Sequence, residues 1–405
     1  MRRGAIILCN YSKIGAYSAC SFLSLAKKLE RIVLLSPAHP LRGGIASSTE
    51  RLAKELQDQG YGVRIYSFCL QYPSLLFPGK TQYADGPPPE GLEILPVVNS
   101  VSPFNWWKIG RRLRRESPDL IIARFWLPFM GPSMGTILRL AKGNGHTKTM
   151  AITDNVIPHE RRPGDRLLTR YFINAVDAFI VMSRSVGADI RSFAPEKPLS
   201  YIPHPLFDNY GPKCTRAVAL DQLGLSGAYS YLLFFGFIRD YKGLDLLLRA
   251  MGDERIKALD LRLLVAGEFY GSDEPYLQII GEEGIEEQVI FRSDYIPNEE
   301  VRYYFGAANL VVQPYKSATQ SGISQLAYHF ETPMLVTKVG GLPEIVEHER
   351  EGYVVEVSVE AIADAIVDYF SQKREAEMAE GVRLGKQRFS WSNMVKGIES
   401  LYRKI

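Results

Sequence analysis

Residues Gly236-Phe-Ile-Arg-Asp-Tyr-Lys-Gly243 stand between an apolar run, Tyr231 to Phe237, and an amphipathic one that begins at Leu244. Leu244, Leu247, Leu248 and Met251 recur at i, i+3, i+4 and i+7, one buried face of a helix, and Asp245 falls in its first turn, where the dipole favours an acid. A strand thus delivers the chain to a short turn with two cations, Arg239 and Lys242, and a glycine opens a helix whose first N–H groups point outward. Such a turn suits a phosphate or diphosphate better than it suits two merely solvated loop cations.

The same alternation extends in both directions. Short apolar runs are expected as strands at Ile32 to Ser36, Val63 to Phe68, Leu92 to Val98, Leu120 to Phe125, Thr149 to Thr153, Phe179 to Met182 and Leu199 to Ile202. A second series follows at Tyr231 to Phe237, Arg262 to Gly267, Val289 to Phe291, Leu310 to Gln313, Met334 to Thr337 and Tyr353 to Val355. Helical stretches between them, such as Ser48 to Gln59, give the pattern of parallel sheets covered on both faces. A chain of 405 residues exceeds one core, and the segment Pro203-His-Pro-Leu-Phe-Asp-Asn-Tyr-Gly-Pro212 reads as a connection between two. The expected fold is α/β, two Rossmann-like doubly wound domains facing a cleft, at residues 31–205 and 229–385, with a linker at 206–228.

A last helical stretch, from about Ala376 to Ile405, carries Phe389-Ser-Trp391, and its part from 386 to 405 is expected to pack back on the first domain. Residues 1–30 read as an extension, the alternative being an added strand and helix; polar Asn10, Ser12 and Lys13 break the signal-like apolar start.

With 46% hydrophobic and 23% charged residues and a net charge of +3, the composition is that of a globular protein without general affinity for nucleic acid. Four scattered cysteines suggest reduced thiols in the cytoplasm, and neither they nor the six histidines have metal-ligand spacing, so no metal is expected. No stretch reaches the eighteen or so apolar residues of a membrane span.

Three further strand-to-helix turns carry candidate chemistry. In Pro37-Ala-His-Pro-Leu-Arg-Gly43-Gly44 the glycines allow close approach of a ligand, and Ser47, Ser48 and Thr49 are candidates to cap the helix. The segment Gln313-Pro-Tyr-Lys-Ser-Ala-Thr-Gln-Ser-Gly322 ends in free N–H groups at Ser321 and Gly322, suited to a diphosphate or a sugar ring. The third, Gly340-Gly-Leu-Pro-Glu344, repeats the theme with proline near the first helical position.

Taken in order, Gly236 to Gly243, Leu263 to Gly267, Asn309 to Thr337 and Gly340 to Glu344 resemble the donor half of family 4 glycosyltransferases, which have the GT-B fold. The Gly43-Gly44 turn and Ile152-Thr-Asp-Asn-Val-Ile-Pro-His-Glu160 are similar to the acceptor-side motifs of that family. The resemblance implies retaining sugar transfer from a nucleotide-diphosphate sugar, without a metal or other cofactor, to a glycan or lipid-linked acceptor in surface polysaccharide synthesis. It implies that Arg239 and Lys242 neutralise the leaving diphosphate. By the same resemblance Gly44, Gly236, Gly267, Thr319, Gln320, Ser321, Gly322 and Gln325 lie on the donor side, and Gly43, Asn155 and His159 on the acceptor side. Asp154 stands where the family commonly has histidine and is assigned to touch a sugar hydroxyl or orient the acceptor.

One departure concerns a glutamate pair of the family, which should fall near Ala318 or Thr319 and near Leu326 or Ala327; neither glutamate is present. Thr319, Gln320 and Gln325 are the polar residues left to contact sugar and ribose, the alternatives being a non-catalytic nucleotide-sugar scaffold or a sugar epimerase of the same fold. In Asn105 to Arg115 the helical face of Trp106, Ile109 and Leu113 is flanked by cations, which reads either as a packed helix with a solvated basic face or as a peripheral contact with the inner face of the membrane. Arg161, Arg162, Arg166 and Arg170 add to the second reading if they share that face.

Overall fold

A computed structural model describes residues 29–73, 82–84, 86–157, 162–318 and 321–405. The expectations for residues 1–28 and for His159, Thr319 and Gln320 lie outside the described residues, as does Arg161.

The first domain runs β1 (Arg31–Leu35), α1 (Gly44–Asp58), β2 (Gly62–Leu70), β3 (Ile94–Asn99), α2 (Pro103–Glu116), β4 (Leu120–Phe125), α3 (Gly131–Lys142), β5 (Lys148–Thr153), α4 (Asp165–Ile173), β6 (Ala178–Val181), α5 (Arg184–Phe193) and β7 (Leu199–Tyr201). The second begins with α6 (Arg216–Leu223), β8 (Ser230–Phe235), α7 (Leu244–Met251), α8 (Glu254–Lys257), β9 (Leu261–Ala266), α9 (Glu274–Glu283) and β10 (Val289–Arg292). It continues through α10 (Val301–Ala307), β11 (Leu310–Gln313), α11 (Gly322–Phe330), β12 (Met334–Thr337), α12 (Leu342–Ile345), β13 (Gly352–Val355), α13 (Val359–Ser371) and α14 (Glu375–Gly385), and α15 (Trp391–Tyr402) ends the chain.

Both sheets are parallel, ordered β3-β2-β1-β4-β5-β6-β7 and β10-β9-β8-β11-β12-β13. The thirteen expected strands are all present: central ones such as β4 and β11 are buried at every position and read as uninterrupted apolar runs, whereas the edge strands β7 and β10 are only partly covered. In each sheet the chain leaves the centre in opposite directions, between β1 and β4 and between β8 and β11. The crevice beyond the carboxyl ends of those central strands is where open α/β sheets bind ligands.

The helix expected from Ala376 to Ile405 is broken. A 3₁₀ turn at Lys386–Phe389 separates α14 from α15, and Ser390 caps the new helix by accepting from Asn393 N–H. The break lets the chain change domains. Phe389 lies in the second domain's core with Tyr328 and Phe330, whereas Trp391, Met394, Val395, Ile398 and Leu401 are buried against Ile32, Leu34 and Leu52 of the first. Each fully buried aliphatic chain stabilises by roughly 1.5–3 kcal/mol, so α15 is part of the first core. Where the two connections cross they are tied: Leu206 N–H donates to Phe389 O at 3.0 Å, and Trp391 Nε1 donates to Leu206 O at 2.8 Å.

On the opposite face of the first sheet α2, α3 and α4 lie side by side, with Ile109, Leu113, Ile137, Leu138 and Phe172 pointing inward together. Trp106 is half-buried and donates Nε1–H to Asn99 O at 2.7 Å. The outward aromatic residues of α2 are instead Phe104 and Trp107, stacked at 5.8 Å.

Candidate active site

The opening octet forms the crevice wall beside β8. Gly236 leaves the strand with φ +90, and a Cβ there would stand 3.2 Å from Lys242 Nζ and 3.4 Å from Ile323 Cδ1. Gly267, after β9, has φ +137, and its Cβ would meet Gly236 O at 2.5 Å. Gly243 ends the 3₁₀ turn Asp240–Lys242 with φ +69, and a Cβ would strike Pro314 O at 2.0 Å. Only glycine combines these close approaches with these torsions. They seat the turn directly on the exit of β11.

Lys316 completes that seat, and reading the sequence missed it. Its Nζ pairs with Asp240 Oδ1 at 2.7 Å and Asp245 Oδ2 at 3.0 Å, while its N–H donates to Tyr241 O at 2.7 Å. Three residues separated in sequence thereby fix the turn. The signal available was a lysine in the loop after β11, but its partners are visible only once β8 and β11 are neighbours.

Lys242 is 9% exposed, and among the described residues no carboxylate pairs with it. Burial, and secondly the charge of Arg239, push its ammonium down to about 7. Its Nζ lies 5.9 Å from the ring centre of Tyr315, whose hydroxyl is 3.3 Å from Ser321 Oγ. Ser321 Oγ in turn accepts from Ile323 N–H at 3.2 Å, a cap that does not engage the N–H groups of Ser321 and Gly322. Lys242, Gly236, Ser321 and Gly322 are therefore brought together at the switch point. Arg239 is half-exposed beside them, its guanidinium 3.8 Å over the ring of Tyr270.

Below this surface Gln313 and Gln325 are buried at 1% and 0% exposure. Ser324 Oγ donates to Gln313 Oε1 at 3.1 Å, but among the described residues Gln313 Nε2 and both amide atoms of Gln325 have no partner. Ala318, Leu326 and Ala327, the described positions around the absent glutamates, carry no polar group.

Asp154 and Asn155, expected on the acceptor side, lie in the first domain after β5. Asp154 follows β5, and both carboxylate oxygens accept from Arg124, Nε and Nη2 each at 2.6 Å. Arg124 Nη1 also donates to Ser48 Oγ at 3.2 Å, tying this pair to α1. Asn155 Oδ1 is buried without a partner among the described residues. The expected hydroxyl caps of α1 do not form: Ser48 and Thr49 donate back to Ile45 O, Ser47 Oγ accepts from Asn209, and the helix begins at Gly43 with no side-chain cap.

Phe207 joins the halves. A Cβ on Gly322 would meet its ring at 2.5 Å and one on Gly44 at 3.8 Å, so the starts of α11 and α1 share one aromatic face. His204 stands edge-on to that ring at 5.0 Å and donates Nδ1–H to Pro205 O at 2.7 Å. Burial, and then the charge of Arg124, push it down to about 4, so it is neutral at physiological pH.

Two parallel doubly wound domains, with a buried lysine at the switch point of the second, define a two-domain α/β class. Residues 42–206 match the model of Glycosyltransferase Family 4, and residues 229–372 match that of Glycosyl transferases group 1. A D-inositol 3-phosphate glycosyltransferase of Streptomyces scabiei is 26% identical over 420 residues, covering 94% of this chain and 92% of that one. Among solved structures, a sucrose-phosphate synthase from Thermosynechococcus elongatus superposes with a TM-score of 0.68 at 18% identity, over 93% of this chain and 98% of that one. HepE of Anabaena, in complex with UDP and glucose, gives 0.68 at 16% identity over 93% and 100%. The chain belongs to the family 4 glycosyltransferases and has their GT-B fold.

The buried lysine has a measurable signature. Unfolded lysine keeps its proton to about pH 10.5, whereas folded Lys242 loses it near 7, so between these values the unfolded state binds more protons and stability rises with pH. Urea unfolding at pH 6.5, 8 and 9.5 should show wild type gaining on Lys242→Met as pH rises; parallel curves would place the ammonium in water.

Proposed function

We propose that this enzyme transfers a hexosyl group from a nucleotide-diphosphate sugar, with retention of anomeric configuration and without a metal, to a glycan or lipid-linked acceptor of surface polysaccharide. The observation that carries the proposal is the buried Lys242 ammonium, unpaired by any described carboxylate and facing the start of α11. Interior positive charge of this kind calls for an anion from outside.

Transfer breaks the bond between the anomeric carbon and a phosphate oxygen and forms one to the acceptor oxygen, the acceptor's proton leaving with the diphosphate. Positive charge grows on the sugar and negative charge on the phosphate. Lys242, Arg239 and the N–H groups at Ser321 and Gly322 stabilise the latter. Gly236 leaves room for the donor beside the lysine, and Gly267, packed on its backbone, holds it there. Gln325, whose amide has no partner among the described residues, takes ribose or sugar hydroxyls in place of the glutamate, and Thr319 and Gln320 are assigned to the same task. Gly43 and Gly44 bring the start of α1 to the same cleft. On the acceptor side Asp154, held by Arg124, orients the acceptor rather than offering a mobile carboxylate, and Asn155 and His159 add polar contacts. Arg239→Ala and Lys242→Ala should each lower turnover about 10²–10³-fold with the fold retained by circular dichroism; unchanged turnover in both would remove the cation role.

The enzyme works at the cytoplasmic face of the membrane, docked through the α2–α4 layer. Those three helices carry nine cations against two carboxylates, a net charge of +7, while the whole chain carries +3. Phe104 is 73% exposed and Leu167 71%, and Trp107 stacks on Phe104. Arg166 and Arg170 belong to this layer. Each cation near an anionic bilayer adds about 1 kcal/mol, and the aromatic pair enters the interface. Among the described residues no helix is long and apolar enough to cross a membrane. Vesicles containing phosphatidylglycerol should sediment the wild type, and Phe104→Ala with Trp107→Ala should release it; equal binding to pure phosphatidylcholine vesicles would contradict the electrostatic part.

A further inference from the structure

Between α4 and the end of α5 the first domain holds a cavity of about 220 Å³. Val156 and Ile157, two and three residues beyond Asp154, and Phe193 give it apolar walls. Thr169 lines it as well, its Oγ1–H donating to Val156 O at 3.4 Å, which fastens α4 to the segment that leaves β5. Arg162 and Arg166 are its cations; both are exposed and so stand at its mouth. Asp165 is the single acid among the lining residues, and its Oδ2 already accepts from Arg162 N–H at 2.8 Å across the turn into α4.

Protein interiors are close-packed, so a gap of this size between two helices of one layer stands out. Neither guanidinium at its mouth has a carboxylate partner among the described residues, and that of Arg166 lies 5.7 Å from the ring centre of Phe193, a cation resting on the apolar wall. A free anion would use the mouth alone, and a hydrocarbon the walls alone. A molecule with a phosphate at the head of an apolar chain uses both. The place fits the same chemistry: α4 and α5 cover the same face of the first sheet as α2 and α3, and Leu167, which follows Arg166, is 71% exposed. The mouth therefore opens on the layer assigned to the bilayer.

We infer that this cavity binds the lipid phosphate of the acceptor, the phosphate between Arg162 and Arg166 and the first carbons of its chain against Val156, Ile157 and Phe193. This rests on the reading of the α2–α4 layer as the membrane face, and it narrows the acceptor to a sugar carried on a phosphate-linked lipid. The walls begin two residues after Asp154, so the lipid is held by the segment that carries the acceptor-orienting carboxylate.

Calorimetric titration with farnesyl phosphate below its micelle concentration, and separately with farnesol and with inorganic phosphate, tests it without a membrane. Wild type should bind farnesyl phosphate about tenfold more tightly than either fragment, a factor that two buried methylenes already supply. Arg162→Ala with Arg166→Ala should cut farnesyl phosphate affinity about tenfold and leave farnesol unchanged. Ser192→Trp, at an exposed position on the cavity wall, should fill the space, weakening farnesyl phosphate and farnesol alike while inorganic phosphate is unaffected. Inorganic phosphate bound as tightly as farnesyl phosphate, or unchanged farnesyl phosphate affinity in both variants, overturns the inference. Sedimentation with phosphatidylglycerol vesicles keeps the two readings apart. The variant with Phe104→Ala and Trp107→Ala should lose the vesicles and keep farnesyl phosphate, whereas a wild type that binds farnesyl phosphate but fails to sediment overturns the membrane reading alone.

Discussion

A buried ammonium sets the terms for the donor half of this enzyme. Removing a charge from water is disfavoured by several kcal/mol, and Lys242 has no described carboxylate to offset it. The surrounding structure forces it to stay. Gly236 and Gly267 pack backbone to backbone, Gly243 lies against Pro314 O, and Lys316 clamps Asp240 and Asp245 on either side of the lysine. Each device fixes the turn rather than relieving the charge, which keeps the ammonium buried at some expense to the fold.

The second constraint is where the chain crosses between domains. Two connections, at 203–207 and 389–391, run through one place and bond to one another. The fully buried Glu351 anchors the second connection to α11, accepting from Arg388 Nη2 at 2.8 and 2.7 Å and from Tyr328. From the first connection Phe207 reaches both Gly44 and Gly322. The helix starts that face the cleft are thus set by the crossing, and a change there is felt at both.

The sequence announced the sheets because central parallel strands are buried on both faces, and the runs around Leu232 and Val311 admit little else. It also announced the turn at Arg239 and Lys242, whose strand, cations and helix are contiguous. What it hid lies across long separations. Lys316 has meaning only beside Asp240 and Asp245, and Asp154 only beside Arg124, thirty residues away. Trp106 and Trp107 differ by one helical step, and which one turns outward depends on β3, where Asn99 receives the Trp106 indole. Continuous helical periodicity hid the break at Ser390, because residues on both sides are apolar at helical spacing but face different domains. Hydroxyls at 47–49 suggested caps, yet they lie inside the helix, where back-bonding to Ile45 O competes.

The central claim is that a donor diphosphate sits between the 236–243 turn and the start of α11. A crystal structure with a bound nucleoside diphosphate tests it most directly. The account predicts phosphate oxygens about 3 Å from Lys242 Nζ and from the N–H groups of Ser321 or Gly322. A diphosphate bound elsewhere, with Lys242 still buried and out of contact, would contradict it.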